Sequence, residues 1–110
     1  KNRQIETDAG AAIGMTNADY EEAGARIVPT AADVFAQAEM IVKVKEPLAV
    51  ERKMLRKDQI LFTYLHLAPD PAQTTDLLES GVTAIAYETV TDPNGGLPLL
   101  APMSEVAGRL

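Results

Sequence analysis

The chain has 110 residues, 46% hydrophobic and 24% charged, with net charge −6, one histidine and no cysteine. That size suits one compact domain with a real core and is too small for a two-domain enzyme. The acidic balance argues against nucleic acid, the lack of cysteine excludes disulfides and thiolate metal sites and fits a cytoplasmic setting, and no apolar run approaches the roughly 18 residues that span a bilayer.

The chain begins at Lys1-Asn2-Arg3, without an initiator methionine or a signal peptide, directly before a strand-like Gln4-Ile5-Glu6-Thr7. Asp8-Ala9-Gly10-Ala11-Ala12-Ile13-Gly14 lacks the Gly-x-Gly-x-x-Gly spacing of a dinucleotide loop and reads as a flexible turn. A helix is expected from Thr16 to Ala23, with Gly24 just past its end, then a short strand at Arg26-Ile27-Val28. Thr30 caps a second helix, Ala31 to Ala38, in which Val34, Phe35 and Ala38 fall at helical spacing. Met40 to Val44 reads as a strand stopped by Pro47. A charged helix from Val50 to Arg56 follows, with Arg52-Lys53 and Arg56-Lys57 on its wet face.

Gln59 to Tyr64 is the next strand. Asp70 and Pro71 are the N-cap and first residue of a helix that ends near Gly81. Val82 to Tyr87 is a strand of small and branched residues, and Asp92-Pro93-Asn94-Gly95-Gly96 is a turn cluster. Ser104 reads as the N-cap of a helix only just begun, and both ends read as cut from a longer polypeptide. Strands and helices alternating about every 20 residues predict an α/β fold, an open parallel sheet flanked by helices. The runs Ile60–Leu65 and Val82–Ala86 suit central strands buried on both faces, and no internal domain boundary is visible.

Three strand ends carry candidate chemistry, because open α/β sheets place ligands at the carboxyl ends of their strands. Lys43 and Lys45 in Lys43-Val44-Lys45-Glu46-Pro47 share one face by alternation, and read alone they are either anion ligands or solvated edge lysines. His66 closes the run Ile60–Leu65 and is either a core imidazole or an acid/base group. With a single histidine and no cysteine, a histidine-based metal site is not expected. Glu88, after Tyr87, is either an exposed carboxylate or one that orients a ligand or a neighbouring lysine.

Together the strings KVKEP (43–47), QILFTYLHLA (59–68), IAYETV (85–90) and LPLLAPMSEVAGR (97–109) resemble the family of alanine dehydrogenases and the α subunits of proton-translocating nicotinamide nucleotide transhydrogenases. Asn17-Ala18-Asp19-Tyr20 and Ala23-Gly24-Ala25 extend the likeness along the chain, which is closest to the dehydrogenase branch. The resemblance implies an N-terminal substrate domain with a Rossmann-like sheet. It also implies NAD as cofactor, L-alanine, pyruvate and ammonium as reactants, and a cytoplasmic homohexamer.

By resemblance, Lys45 binds the substrate carboxylate, His66 is the catalytic acid/base and Ser104 lies by the NAD, while Glu88 and Met103 are candidates to line the site. The family's Gly-rich fingerprint and catalytic aspartate have no counterpart in this sequence, and Arg3 sits too late to be the family's substrate-binding arginine. The chain is therefore not expected to catalyse alone. The rival readings are the NAD-binding part of a transhydrogenase α subunit and a non-catalytic domain of the same fold; the lysine of KVKEP and the histidine of LHLA speak against both.

Overall fold

The structure, a computed structural model, describes residues 3–109. Where the sequence reads as one domain, its contacts gather into two compact units, Lys1–Glu39 and Met40–Leu110.

In the first unit, strand β1 (Gln4–Glu6) pairs in parallel with β2 (Arg26–Val28), Ile5 facing Ile27. Helix α1 (Asn17–Glu22) opens on a reciprocal box. The Thr16 hydroxyl accepts from the Asp19 amide at 3.2 Å, and the Asp19 carboxylate accepts from the Thr16 amide at 2.8 Å. Hydrogen bonding to the Thr16 amide first, and to the Thr16 side chain second, holds the Asp19 carboxyl below its ordinary range.

Gly24, at φ +99°, ends α1: its amide reaches Glu21 O and that of Ala25 reaches Tyr20 O, each at 3.0 Å. Helix α2 (Ala31–Gln37) is capped by Thr30 as predicted and buries Phe35; Ala38 has already turned extended, so the helix ends one residue early. Gly10 lies in the turn expected there and is buried: a Cβ on it would lie 2.5 Å from Tyr20 Oη and 2.7 Å from Met15 Cβ.

The second unit holds β3 (Met40–Val42), β4 (Ile60–Thr63) and β5 (Thr83–Ala86), all parallel and in that order, with Ile41, Leu61 and Ala84 in register. Helices α3 (Ala49–Arg52), α4 (Pro71–Ser80) and α5 (Ala101–Gly108) complete it. Ile41, Leu55, Leu61, Leu65 and Leu77 form its core. Asp70 caps α4 with Pro71 behind it, and Gly81, at φ +74°, ends it, all as the sequence predicts. The 92–96 cluster is a turn in which Asp92 Oδ1 accepts from the amides of Asn94 and Gly96, both at 2.8 Å.

Several expectations need correction. The strands other than β2, which keeps its expected bounds, are shorter than predicted, and β3 stops at Val42 rather than Val44. Helix α3 is one turn rather than Val50 to Arg56, and Arg52 leaves the expected wet face to pair with Asp76 at 2.8 Å. Among the described residues, only β4 lies between two strands. β5 has one strand neighbour among them and exposes Thr83, Ala84 and Ile85, because its run of small and branched residues is equally compatible with an edge. Ser104 is interior to α5, donating its amide to Leu100 O at 3.1 Å; Pro102 marks the start instead. Leu110, the last residue of that predicted segment, lies outside the described residues.

Candidate functional site

The carboxyl ends of β3, β4 and β5 bring three of the predicted residues together in one unit. Beyond Val42 the ladder makes one more bond, Lys43 N to Phe62 O at 3.0 Å, and then the chain bends. That bend ends the alternation expected of the two lysines. Lys43 Nζ pairs with Glu51 at 3.0 Å, and the same Glu51 oxygen accepts from the Leu48 amide at 2.7 Å, so Lys43 fastens the loop. Lys45 is exposed, and its Nζ lies 5.3 Å from the centroid of the Tyr64 ring, within cation–π range.

His66 stacks on the same ring, at 5.8 Å between centroids and 9° between planes. It is exposed and adopts φ +45°, a left-handed conformation that costs a non-glycine residue on the order of 1–3 kcal/mol. Glu88 provides the compensation. Its carboxylate accepts from the His66 amide at 2.7 Å and, through both oxygens, from the Leu65 amide at 3.2 Å. Two successive amides converging on one anion form a small anion-binding concavity. Glu88 thus holds the backbone under the histidine. From the other side, Gln73 of α4, 1% exposed, donates its amide to Leu65 O at 2.8 Å.

Met103 reaches the site's border, its Sδ 3.5 Å from Tyr87 Oη. The Tyr87 ring in turn lies 5.5 Å from Phe62 and 6.4 Å from Tyr64, and its hydroxyl donates to Val44 O. Burial, then the Glu88 and Glu46 carboxylates, push the Tyr87 phenol up, so it stays a donor through neutral pH. Ser104 is exposed one residue after Met103, and its side chain makes no hydrogen bond to other described residues. No three His, Asp or Glu side chains among the described residues are arranged to hold a metal ion.

Tyr64 is the main residue that the sequence reading passed over as mere strand, although alternation puts it on the face of His66, two residues on. Thr63, Gln73 and Tyr87 were passed over too. A threonine at the end of an apolar strand and a glutamine in the first turn of a helix carry no local mark of their tertiary partners.

An anchored cation and an imidazole on one aromatic ring, exposed at strand ends, can hold a small carboxylate and move a proton beside it. Residues 3–107 match the family described as alanine dehydrogenase/PNT, N-terminal domain. Over 106 residues the chain is 58% identical to an alanine dehydrogenase of Mycobacterium tuberculosis, covering 96% of this chain and 29% of that protein. It is 55% identical, over the same 96%, to those of Halomonas elongata and Methanococcus maripaludis, of which it covers 29% and 28%.

A solved L-alanine dehydrogenase superposes with a TM-score of 0.91 at 55% identity, over 98% of this chain and 30% of that one. A transhydrogenase from Sinorhizobium meliloti superposes with 0.73 at 25% identity, over 79% and 26%. The chain thus spans less than a third of each of these relatives, and it belongs to the alanine dehydrogenase/PNT family, of which it represents the N-terminal domain.

Proposed function

We propose that this chain is the substrate-binding part of an NAD-dependent L-alanine dehydrogenase, which interconverts L-alanine with pyruvate and ammonium. The observation that carries the reading is the placement of Lys45 Nζ and the His66 imidazole against one ring, that of Tyr64. In this reading Lys45 holds the substrate carboxylate by a charge-assisted hydrogen bond. His66 takes a proton from the water that adds to the imine carbon and returns it to the departing amine, work suited to an imidazole. Tyr64 sets the spacing between the two, and Glu88 keeps the imidazole's backbone in its strained conformation.

NAD, when bound, supplies the acceptor for the hydride leaving Cα. Of the described residues, Ser104 on α5 offers an exposed hydroxyl to it. The Asp8–Gly14 turn does not fit a phosphate, since Tyr20 and Met15 already fill the space around Gly10. The remainder of a dinucleotide site is thus expected from a longer chain, and this part alone is expected to be inactive. The same reading carries a homohexamer in the cytoplasm, and no helix among the described residues is long and apolar enough to cross a membrane. The transhydrogenase alternative has less support, with 25% identity and a TM-score of 0.73 against 55% and 0.91.

The test is alanine-dependent NAD reduction by the full-length protein and its His66→Ala variant, with circular dichroism on both. Activity that collapses in a folded variant supports the reading. A folded variant with near-normal turnover overturns it.

A further inference from the structure

Two hydroxyls converge on the loop that carries Lys45. Thr63, the last residue of β4 and fully buried, donates from Oγ1 to Lys45 O at 2.7 Å; its only other acceptor, Tyr64 O, is farther, at 3.4 Å. Tyr87, just past β5, donates to the preceding carbonyl, Val44 O. The β3–β4 ladder has ended by then, its last bond being Lys43 N to Phe62 O. The carbonyls that the sheet would otherwise leave to solvent are thus taken up by side chains of the two following strand ends.

Fixing two consecutive carbonyls fixes the peptide planes on both sides of the Lys45 Cα, and with them the direction of its Cα–Cβ bond. A lysine has four rotatable side-chain bonds and is costly to order, so a fixed root is the economical way to aim an exposed ammonium. The Tyr64 ring then receives the head.

We propose that Thr63 and Tyr87 are positioning residues for Lys45, a two-hydroxyl clamp that holds its backbone so that the ammonium stands ready for a carboxylate. The proposal rests on the reading of Lys45 as the carboxylate-binding residue. Tyr87 contributes twice to the site, since its neighbour Glu88 holds the amides of Leu65 and His66. One dipeptide after β5 therefore ties down both reactive loops.

The experiment uses the full-length enzyme with pyruvate and NADH. Thr63→Val preserves shape and deletes the donor, whereas Thr63→Ser keeps the donor. KM for pyruvate is expected to rise about three- to tenfold in Thr63→Val, the range of one lost hydrogen bond, with KM for NADH nearly unchanged and most of the loss recovered in Thr63→Ser. Tyr87→Phe is expected to follow Thr63→Val and serves in its place if that variant does not fold.

In a Lys45→Ala background the same deletions are expected to add nothing, because a clamp acting through Lys45 then has nothing to aim. Pyruvate affinity that falls in Lys45→Ala but is untouched by either hydroxyl deletion overturns the clamp and leaves the proposed function standing. Deletion losses that add in full to that of Lys45→Ala also overturn the clamp, as a general structural effect. A Lys45→Ala enzyme with normal pyruvate affinity overturns both the clamp and the reading beneath it.

Discussion

The units Lys1–Glu39 and Met40–Leu110 are both built of parallel strands and short helices, yet they use their polar side chains differently. In the first, side chains bond to backbone around the helix starts: Thr16 before α1, Asn17 and Asp19 in its first turn, Thr30 before α2. The second has such a cap too, Asp70 before α4, and adds bonds to backbone beyond its strands: Thr63, Gln73, Tyr87 and Glu88 hold the segments that carry Lys45 and His66. A cap completes an element and is answerable to stability. A clamp past the end of a strand holds a loop against its own freedom, and the residues so held at φ +45° or over a ring are the ones proposed to perform the chemistry. Variants in the two units should therefore separate stability from activity.

The largest effect is expected at His66. In the full-length enzyme, His66→Ala should lower turnover in alanine oxidation by about 10²–10⁴. His66→Gly should lose the same activity while gaining about 1 kcal/mol of stability in chemical denaturation, because glycine takes the left-handed conformation without strain. A less stable His66→Gly would place the histidine among the core residues and dissolve the contrast between the units.

Next comes Lys45. Lys45→Ala should weaken pyruvate binding by on the order of 2–3 kcal/mol while NADH binding barely changes. Equal loss for both ligands, measured by titration, would point to unfolding rather than to a lost contact.

Gly10 tests the opposite half of the comparison. Gly10→Ala forces its new Cβ against Tyr20 and Met15 and should cost about 1–3 kcal/mol of stability. Specific activity per folded molecule should stay near that of the parent; a fall of activity without a fall in melting temperature would bring the first unit into the chemistry.

The smallest effect is expected at the start of α1. Thr16→Ala should cost about 1 kcal/mol. The Asp19 carboxyl is depressed in the folded state, so its stabilisation is complete above its unfolded value, about 3.9, and disappears as pH falls through the lower folded value. Acid unfolding of Thr16→Ala should accordingly be less steep than that of the parent in that range. An unchanged acid limb would mean that the capping box does not couple to protonation.

What the sequence determined by itself is local. Thr30, Asp70-Pro71, Gly24 and Gly81 mark helix ends because a hydroxyl, a carboxylate, a missing N–H or a free φ acts within a few residues along the chain. The βαβ rhythm predicts the parallel sheet, and the strand ends already put Lys45, His66 and Glu88 at one edge. Met103 and Ser104 were legible only through family likeness. Pro102 was a local mark in plain view, and the start of α5 was still assigned to Ser104.

Tertiary structure alone decided that β5 has one strand neighbour among the described residues, that β3 ends before the two lysines and sends Lys43 to Glu51, and that Lys45 and His66 both lie against Tyr64. It alone showed that Glu88 holds amides, and that Thr63, Gln73 and Tyr87 reach the carbonyls around the site. Each of these depends on which strand end lies beside which, across separations of 8 to 43 residues, and a hydroxyl or carboxamide in a strand or helix looks the same whether its partner is water or a distant carbonyl.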